Sequence, residues 1–146
     1  MAKLIVVTGL PGSGKTTYMA TLKNNKVVKA FYDDYQGKSY GHDKDPRLSR
    51  CYSPMLYRLK KGETVAVSDI RYCLEPELKK LLSAITDVIP QVEIELHCFE
   101  NNPKACIENI KRERPPERVE RELKLIAELS SKYKITKAKV IKVYKP

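Results

Sequence analysis

Residues 3–16 read KLIVVTGLPGSGKT, and this stretch decides the fold. Its first six residues, KLIVVT, are rich in β-branched side chains and predict a short buried strand. Residues 9–16, GLPGSGKT, match the pattern G-x-x-x-x-G-K-[ST] in full, and a helical stretch follows over 15–23. A strand, a glycine-rich turn and a helix in this order predict a loop whose backbone N–H groups converge on phosphate oxygens.

The residue types in this loop predict which part of a nucleoside triphosphate such as ATP each would bind. The Lys15 ammonium is expected to reach the β- and γ-phosphates, and the Thr16 hydroxyl to bind Mg²⁺, a hard cation that prefers oxygen. A chance glycine turn is the alternative, and the flanking strand and helix argue against it. The predicted nucleotide-binding residues are Gly9, Pro11, Gly12, Ser13, Gly14, Lys15, Thr16 and Thr17.

Beyond the loop, the hydrophobic spacing alternates between that of strands and that of helices. We predict strands over 26–32, 63–69, 91–99 and 137–144, and helices over 45–61, 75–85, 102–114 and 115–129. This order indicates an α/β fold with a parallel sheet of about five strands and helices on both faces. A length of 146 residues suits one core, so residues 1–146 are assigned to a single domain.

Acidic residues follow the second and third predicted strands, where ligands of such sheets bind. Asp33 and Asp34 lie in FYDDY (31–35), and Asp69 closes TVAVSD (64–69). In phosphoryl transfer, a carboxylate there would take the proton of the acceptor hydroxyl, and Asp69 would hold the metal through water or bind the acceptor. Arg71 would pair with an acceptor phosphate, or is a surface arginine. A turn or a helix cap is the alternative for the aspartates.

Arginines cluster between the last two predicted helices. The segment KRERPPER (111–118) carries Arg112, Arg114 and Arg118, and Arg121 follows one turn later. Mobile arginines above a phosphate loop would stabilise the charge on a transferring phosphoryl group, so we predict an arginine-rich lid here. The alternative is a pair of solvated helix ends.

The composition is strongly basic. Lys and Arg total 28 and Asp and Glu 18, a net charge of +10. Such a field attracts the phosphates of a nucleotide or a nucleic acid, although solubility alone would also favour it. The longest apolar run near the N-terminus, LIVV, is too short for a signal peptide or a membrane span, so we expect a cytoplasmic protein with no membrane partner.

The four cysteines are scattered, and none has the C-x-x-C spacing of a zinc or redox motif. They are therefore expected to be buried thiols of a reducing compartment. Their positions are Cys51, Cys73, Cys98 and Cys106.

In this order, GLPGSGKTT (9–17), FYDDY, VSD (67–69) and the arginine-rich helix junction resemble the small P-loop kinases grouped with polynucleotide 5′-hydroxyl kinases and zeta toxins. The resemblance implies the P-loop NTPase fold, with the phosphate strand at the centre of five parallel strands. It places the general base on Asp33, the third-strand aspartate on Asp69 and a lid arginine on Arg112. Asp34, Asp69 and Arg71 are then expected near the acceptor.

The chain also departs from this pattern. Gln36 stands where such polynucleotide kinases often have an arginine, and Ile70-Arg71 where they often have Thr-Asn. The stretch SDIRYCLEPE (68–77) is instead similar to the Asp-x-Arg stretch of some nucleoside monophosphate kinases. The predicted function is an ATP- and Mg²⁺-dependent kinase acting on a 5′-hydroxyl of DNA or RNA. The alternatives are a kinase for a small acceptor, such as a nucleoside monophosphate or a nucleotide-sugar, and a nucleotide-dependent switch.

Overall fold

The structure, a computed structural model, describes residues 2–32 and 53–145 of the chain. Its strands are β1 (Lys3–Thr8), β2 (Val28–Tyr32), β3 (Thr64–Ser68), β4 (Glu93–Phe99) and β5 (Lys139–Ile141). Its helices are α1 (Lys15–Lys23), α2 (Ser53–Lys60), α3 (Glu75–Thr86), α4 (Pro103–Glu113) and α5 (Pro116–Ser130), with a 3₁₀ helix at Ile70–Cys73. Among these residues, no helix is both long and apolar enough to span a bilayer.

The five strands form one parallel sheet with the phosphate strand β1 at its centre, as predicted, and their order is β2-β3-β1-β4-β5. In this register Val7 lies opposite Ser68, and Thr8 lies opposite Cys98. The carboxyl ends of β1, β3 and β4 therefore meet at one edge of the sheet. The loop after β1 and the acidic end of β3 share that edge.

Both faces of the sheet are covered, because alternate side chains of the central strands are apolar on both sides. Leu4 and Val6 pack against α2 and α3. Ile5 and Val7 point the other way and pack against Met19 of α1. Helices α4 and α5 form a third cluster with the end of β4, through residues such as Cys98. Continuous β-branched strands of this kind are typical of buried parallel sheets.

The observed elements differ from the predicted ones where tertiary contacts intervene. Strand β5 is shorter than predicted because Lys137 adopts a left-handed backbone, with φ 46°, and because the chain leaves the sheet after Ile141. There the backbone N–H of Val143 donates to Glu100 Oε1 at 3.2 Å, and that of Tyr144 donates to Ser13 O at 3.1 Å. The 3₁₀ helix was not predicted. The first part of the helix predicted over 45–61 lies outside the described residues.

Candidate functional site

The phosphate loop turns sharply between β1 and α1, and glycine is required at two of its turns. Gly12 has φ 82° and Gly14 has φ 108°, both in the left-handed region. A Cβ added at Gly12 would lie 2.7 Å from the carbonyl oxygen of Cys106 on α4, which is too close for any side chain. The loop is therefore pressed against α4, and α1 begins directly after it.

Carbonyl groups of the loop accept hydrogen bonds from outside the loop and from its own lysine. The side-chain amide of Asn109 donates to Gly12 O at 2.8 Å, and the backbone of Tyr144 donates to Ser13 O at 3.1 Å. Leu10 O accepts from Lys15 Nζ at 2.9 Å. These contacts hold the carbonyls in place and leave the loop to present N–H groups at the N-terminus of α1.

Asn109 is a site residue that the sequence reasoning missed. It is 3% exposed, and its amide also donates to Tyr144 O at 2.7 Å. The sequence feature that could have indicated Asn109 is its place on the apolar face of a predicted amphipathic helix, between Cys106 and Ile110. A buried amide in such a position needs partners, and here they are backbone groups 97 and 35 residues away.

Lys15 is buried, with its ammonium against its own loop. Its Nζ donates to Gly9 O at 3.0 Å as well as to Leu10 O. Thr16 and Thr17 are exposed and line the adjoining cleft. Ser13 is fully buried, and its hydroxyl has no hydrogen-bond partner among the described residues.

Asp69 lies at the same edge as the loop, as predicted. It is 1% exposed, and the Thr8 hydroxyl donates to its backbone carbonyl at 2.8 Å. One carboxylate oxygen, Oδ1, accepts from the backbone N–H of Arg71 at 2.8 Å and so caps the 3₁₀ helix. The Arg71 residue is exposed, and within the described ranges its guanidinium forms no ion pair. Asp33, Asp34 and Gln36 lie outside the described residues, so their roles stay predictions.

A cleft of about 790 Å³ opens beside the loop. One wall is the loop and the start of α1, and the other is the α4–α5 junction. Three of the four clustered arginines, Arg114, Arg118 and Arg121, line it, whereas Arg112 does not belong to the lining and donates to Asn109 Oδ1. The lining residues are Pro11, Gly12, Gly14, Lys15, Thr16, Thr17, Ile70, Glu113, Arg114, Arg118, Arg121, Glu122, Leu125 and Tyr144.

Glu122 is a second residue that the sequence reasoning missed. It is 7% exposed although it belongs to the cleft lining. Arg114 Nε donates to its two carboxylate oxygens at 3.2 and 3.1 Å, and an Arg118 Nη donates to one of them at 3.3 Å. The sequence signal was the four-residue spacing of Arg118 and Glu122 on one helix.

The thiols near the loop are structural. Cys73, Cys98 and Cys106 are free and buried, as predicted, and Cys51 lies outside the described residues. Burial raises the pKa of both Cys73 and Cys106 to about 11, so neither is a thiolate near neutral pH. Within residues 2–32 and 53–145, no group of His, Cys, Asp and Glu has the arrangement of a metal site made of such residues alone.

Comparisons with solved structures show the fold. A gluconokinase from Sinorhizobium meliloti 1021 superposes on this chain with a TM-score of 0.64 and 14% sequence identity. The superposition covers 99% of this chain and 84% of the gluconokinase. A fungal RNA kinase superposes over 99% of this chain and 76% of its own, with a TM-score of 0.55 and 14% identity. The fold is thus that of the P-loop kinases, whereas identities this low carry no information on the acceptor.

Sequence comparison gives the family. No family model matches the chain. "Uncharacterized protein R277" of Acanthamoeba polyphaga mimivirus is 30% identical over 109 residues, which are 74% of this chain and 70% of that protein. The chain therefore belongs to the same protein family as this mimivirus protein.

Proposed function

We propose that this protein is a kinase that transfers the γ-phosphoryl group of ATP to a hydroxyl group. The observation that carries the proposal is the cleft itself, in which a complete phosphate loop faces three arginines. Its volume of about 790 Å³ lies in the range of small-molecule sites and suits a nucleotide. Cationic groups on two opposing walls are what a triphosphate and the charge on a transferring phosphoryl group require.

The proposal assigns roles to groups of the cleft and to the two aspartates predicted from the sequence. Loop N–H groups hold the phosphates, and the Lys15 ammonium exchanges its two carbonyl partners for β- and γ-phosphate oxygens. Asp33, which follows β2 in the sequence and lies outside the described residues, takes the proton of the acceptor hydroxyl in this proposal. The Thr16 hydroxyl and, through water, the Asp69 carboxylate would hold Mg²⁺, and these oxygen donors fit this hard cation. When bound, Mg²⁺ supplies charge neutralisation between the β- and γ-phosphates.

We further propose a nucleic-acid 5′-hydroxyl as the acceptor. The net charge of +10 favours a polyanionic partner. The sequence resemblance to polynucleotide kinases supports the same choice, and a fungal RNA kinase shares the fold.

A small phosphorylated acceptor is the second candidate, favoured by the placement of Arg71. This exposed arginine follows Asp69 at the carboxyl edge of the sheet, and within the described ranges its guanidinium has no carboxylate partner. Such a cation would bind an acceptor phosphate. A gluconokinase, which acts on a small substrate, shares the fold as well.

One labelling experiment decides between the candidates. The protein is incubated with Mg²⁺ and γ-labelled ATP together with 5′-hydroxyl DNA, 5′-hydroxyl RNA, nucleoside monophosphates or nucleotide-sugars, and Lys15→Ala serves as the inactive control. Label in an oligonucleotide supports the proposal, and its transfer should weaken steeply with salt. Label in a small molecule selects the second candidate. Release of free phosphate alone, with every acceptor, would refute a kinase function.

A further inference from the structure

The wall of the cleft contains the carboxylate of Glu122, although a negative charge is unfavourable in a site that binds a triphosphate. Glu122 is 7% exposed, and it belongs to the same lining as Lys15 and Thr16. A negative charge in that position repels the phosphates of a nucleotide. The repulsion weakens binding unless the carboxylate contributes in another way.

The contacts of Glu122 indicate what that contribution is. Arg114 approaches it with Nε alone, at 3.2 and 3.1 Å from the two carboxylate oxygens. A guanidinium carries five N–H donors in a rigid plane, so the two Nη groups of Arg114 stay available. Among the described residues these two groups have no hydrogen-bond partner, and Arg114 itself lines the cleft.

Arg118 is held by the same carboxylate. One of its Nη groups donates to Glu122 Oε1 at 3.3 Å, one helical turn along α5. Its side chain is 47% exposed, compared with 28% for Arg114 and 9% for Glu122. A nearly buried carboxylate thus holds two partly exposed arginines that line the cleft.

We propose that Glu122 is the positioning residue of the nucleotide site, which holds Arg114 and Arg118 with their remaining N–H groups directed at the phosphates of bound ATP. The inference rests on the proposed nucleotide-dependent function. Without Glu122, each long side chain spreads over several rotamers and must be ordered again when ATP binds. Glu122 is not a catalytic residue, because it acts through the two arginines.

Two competing explanations make different predictions. If Glu122 were only a negative charge near the cleft, its removal would strengthen ATP binding, and an aspartate in its place would behave like the wild type. If Glu122 only tied α4 to α5, its replacement would lower the melting temperature and leave ATP affinity unchanged. Positioning requires that both a neutral and a shortened side chain weaken ATP binding.

The experiment measures Mg²⁺·ATP affinity by calorimetry and the melting temperature of the wild type, Glu122→Gln and Glu122→Asp. We expect both variants to bind ATP about tenfold more weakly, since Asp withdraws the carboxylate by one C–C bond of about 1.5 Å and misplaces both arginines. Glu120→Gln is the matched control, because it makes the same charge change on the same helix at an exposed ion pair with Lys124. Its ATP affinity should stay within about twofold of the wild-type value.

A double-mutant cycle tests the positioning directly. Arg114→Ala should weaken ATP binding about tenfold in the wild type and less than about threefold in Glu122→Gln, because the arginine is already misplaced there. Equal losses of ATP affinity in both backgrounds would overturn this inference, and so would Glu122 variants that bind ATP as tightly as the wild type. Neither result would affect the proposed kinase function. If the Glu122 variants do not fold, Arg114→Ala and Arg118→Ala decide, and unchanged ATP affinity in both refutes the inference. A wild-type protein that does not bind ATP at all refutes the proposed function, and the inference falls with it.

Discussion

Replacing Asn109 with alanine should weaken both the fold and the phosphate loop, because one side-chain amide supports two backbone carbonyls. Its Nδ2 donates to Gly12 O at 2.8 Å and to Tyr144 O at 2.7 Å, and the residue is 3% exposed. A buried polar group that loses its partner costs about 1–3 kcal/mol, which gives ~2–6 kcal/mol for two carbonyls. Tyr144 is 49% exposed, so water can replace the partner of its carbonyl, and we expect ~2–4 kcal/mol in total.

Both quantities can be measured. For a domain of this size each kcal/mol lowers the melting temperature by roughly 3 °C, so Asn109→Ala should melt ~6–12 °C below the wild type. ATP affinity falls as well, because only the fraction of molecules with an ordered loop can bind. If ordering Gly12 accounts for ~1.4 kcal/mol of the loss, the apparent affinity falls about tenfold.

The assay combines calorimetric melting with titration of Mg²⁺·ATP, and the chain offers a matched control. The Asn101 amide also donates to two carbonyls, Ser130 O at 2.9 Å and Tyr133 O at 3.2 Å, but the residue is exposed and these carbonyls belong to the end of α5 and its flank. Asn101→Ala should cost at most ~1 kcal/mol and leave ATP affinity unchanged. The reasoning is refuted if Asn109→Ala binds ATP like the wild type and melts no lower than Asn101→Ala.

Four further predictions concern the site. Lys15→Ala should stay folded and abolish measurable ATP binding, and wild-type ATP affinity would contradict the assignment of Lys15 to the phosphates. Asp33→Asn should lower single-turnover transfer on the order of a hundredfold with ATP affinity retained, and Asp34→Asn much less; the reversed order would move the base to Asp34. Arg112→Ala should lower turnover, and although this side chain is 44% exposed, the loss of its donor to the buried Asn109 Oδ1 should cost about 1 kcal/mol of stability; unchanged turnover would make Arg112 a structural contact only. Burial raises the pKa of Cys73 from its usual 9.0 to about 11, so between these values the thiol ionises only in the unfolded chain. The free energy of unfolding from urea titrations should therefore fall as the pH rises from 9 towards 11, more steeply in the wild type than in Cys73→Ala; equal slopes would contradict the cause.

The sequence by itself determined the central strand, the phosphate loop and the helix after it. Strand β1 (Lys3–Thr8) and helix α1 (Lys15–Lys23) have the predicted bounds, because β-branched side chains, loop glycines and a helix N-terminus act on neighbouring residues. The start of α4 is also determined by neighbouring residues, because Asn102 Oδ1 accepts from the backbone N–H of Ala105 at 3.2 Å and so caps the helix. The alternation of strands and helices likewise predicted the parallel sheet, whose order places Asp69 beside the loop.

Only the tertiary structure decided which other side chains reach the site. Asn109 and Tyr144 reach the loop from distant parts of the chain, and no periodicity within a helix or strand indicates these contacts. Helical spacing indicates the pair of Arg118 and Glu122, but not that the pair lines the cleft. Spacing along the sequence could not show which arginine lies nearest the cleft. In the structure the buried carboxylate of Glu122 binds Arg114 and Arg118, whereas the buried amide of Asn109 binds Arg112. The physical reason is that a buried polar group must find its partner wherever the packed fold brings one within about 3 Å, and that neighbour is set by topology.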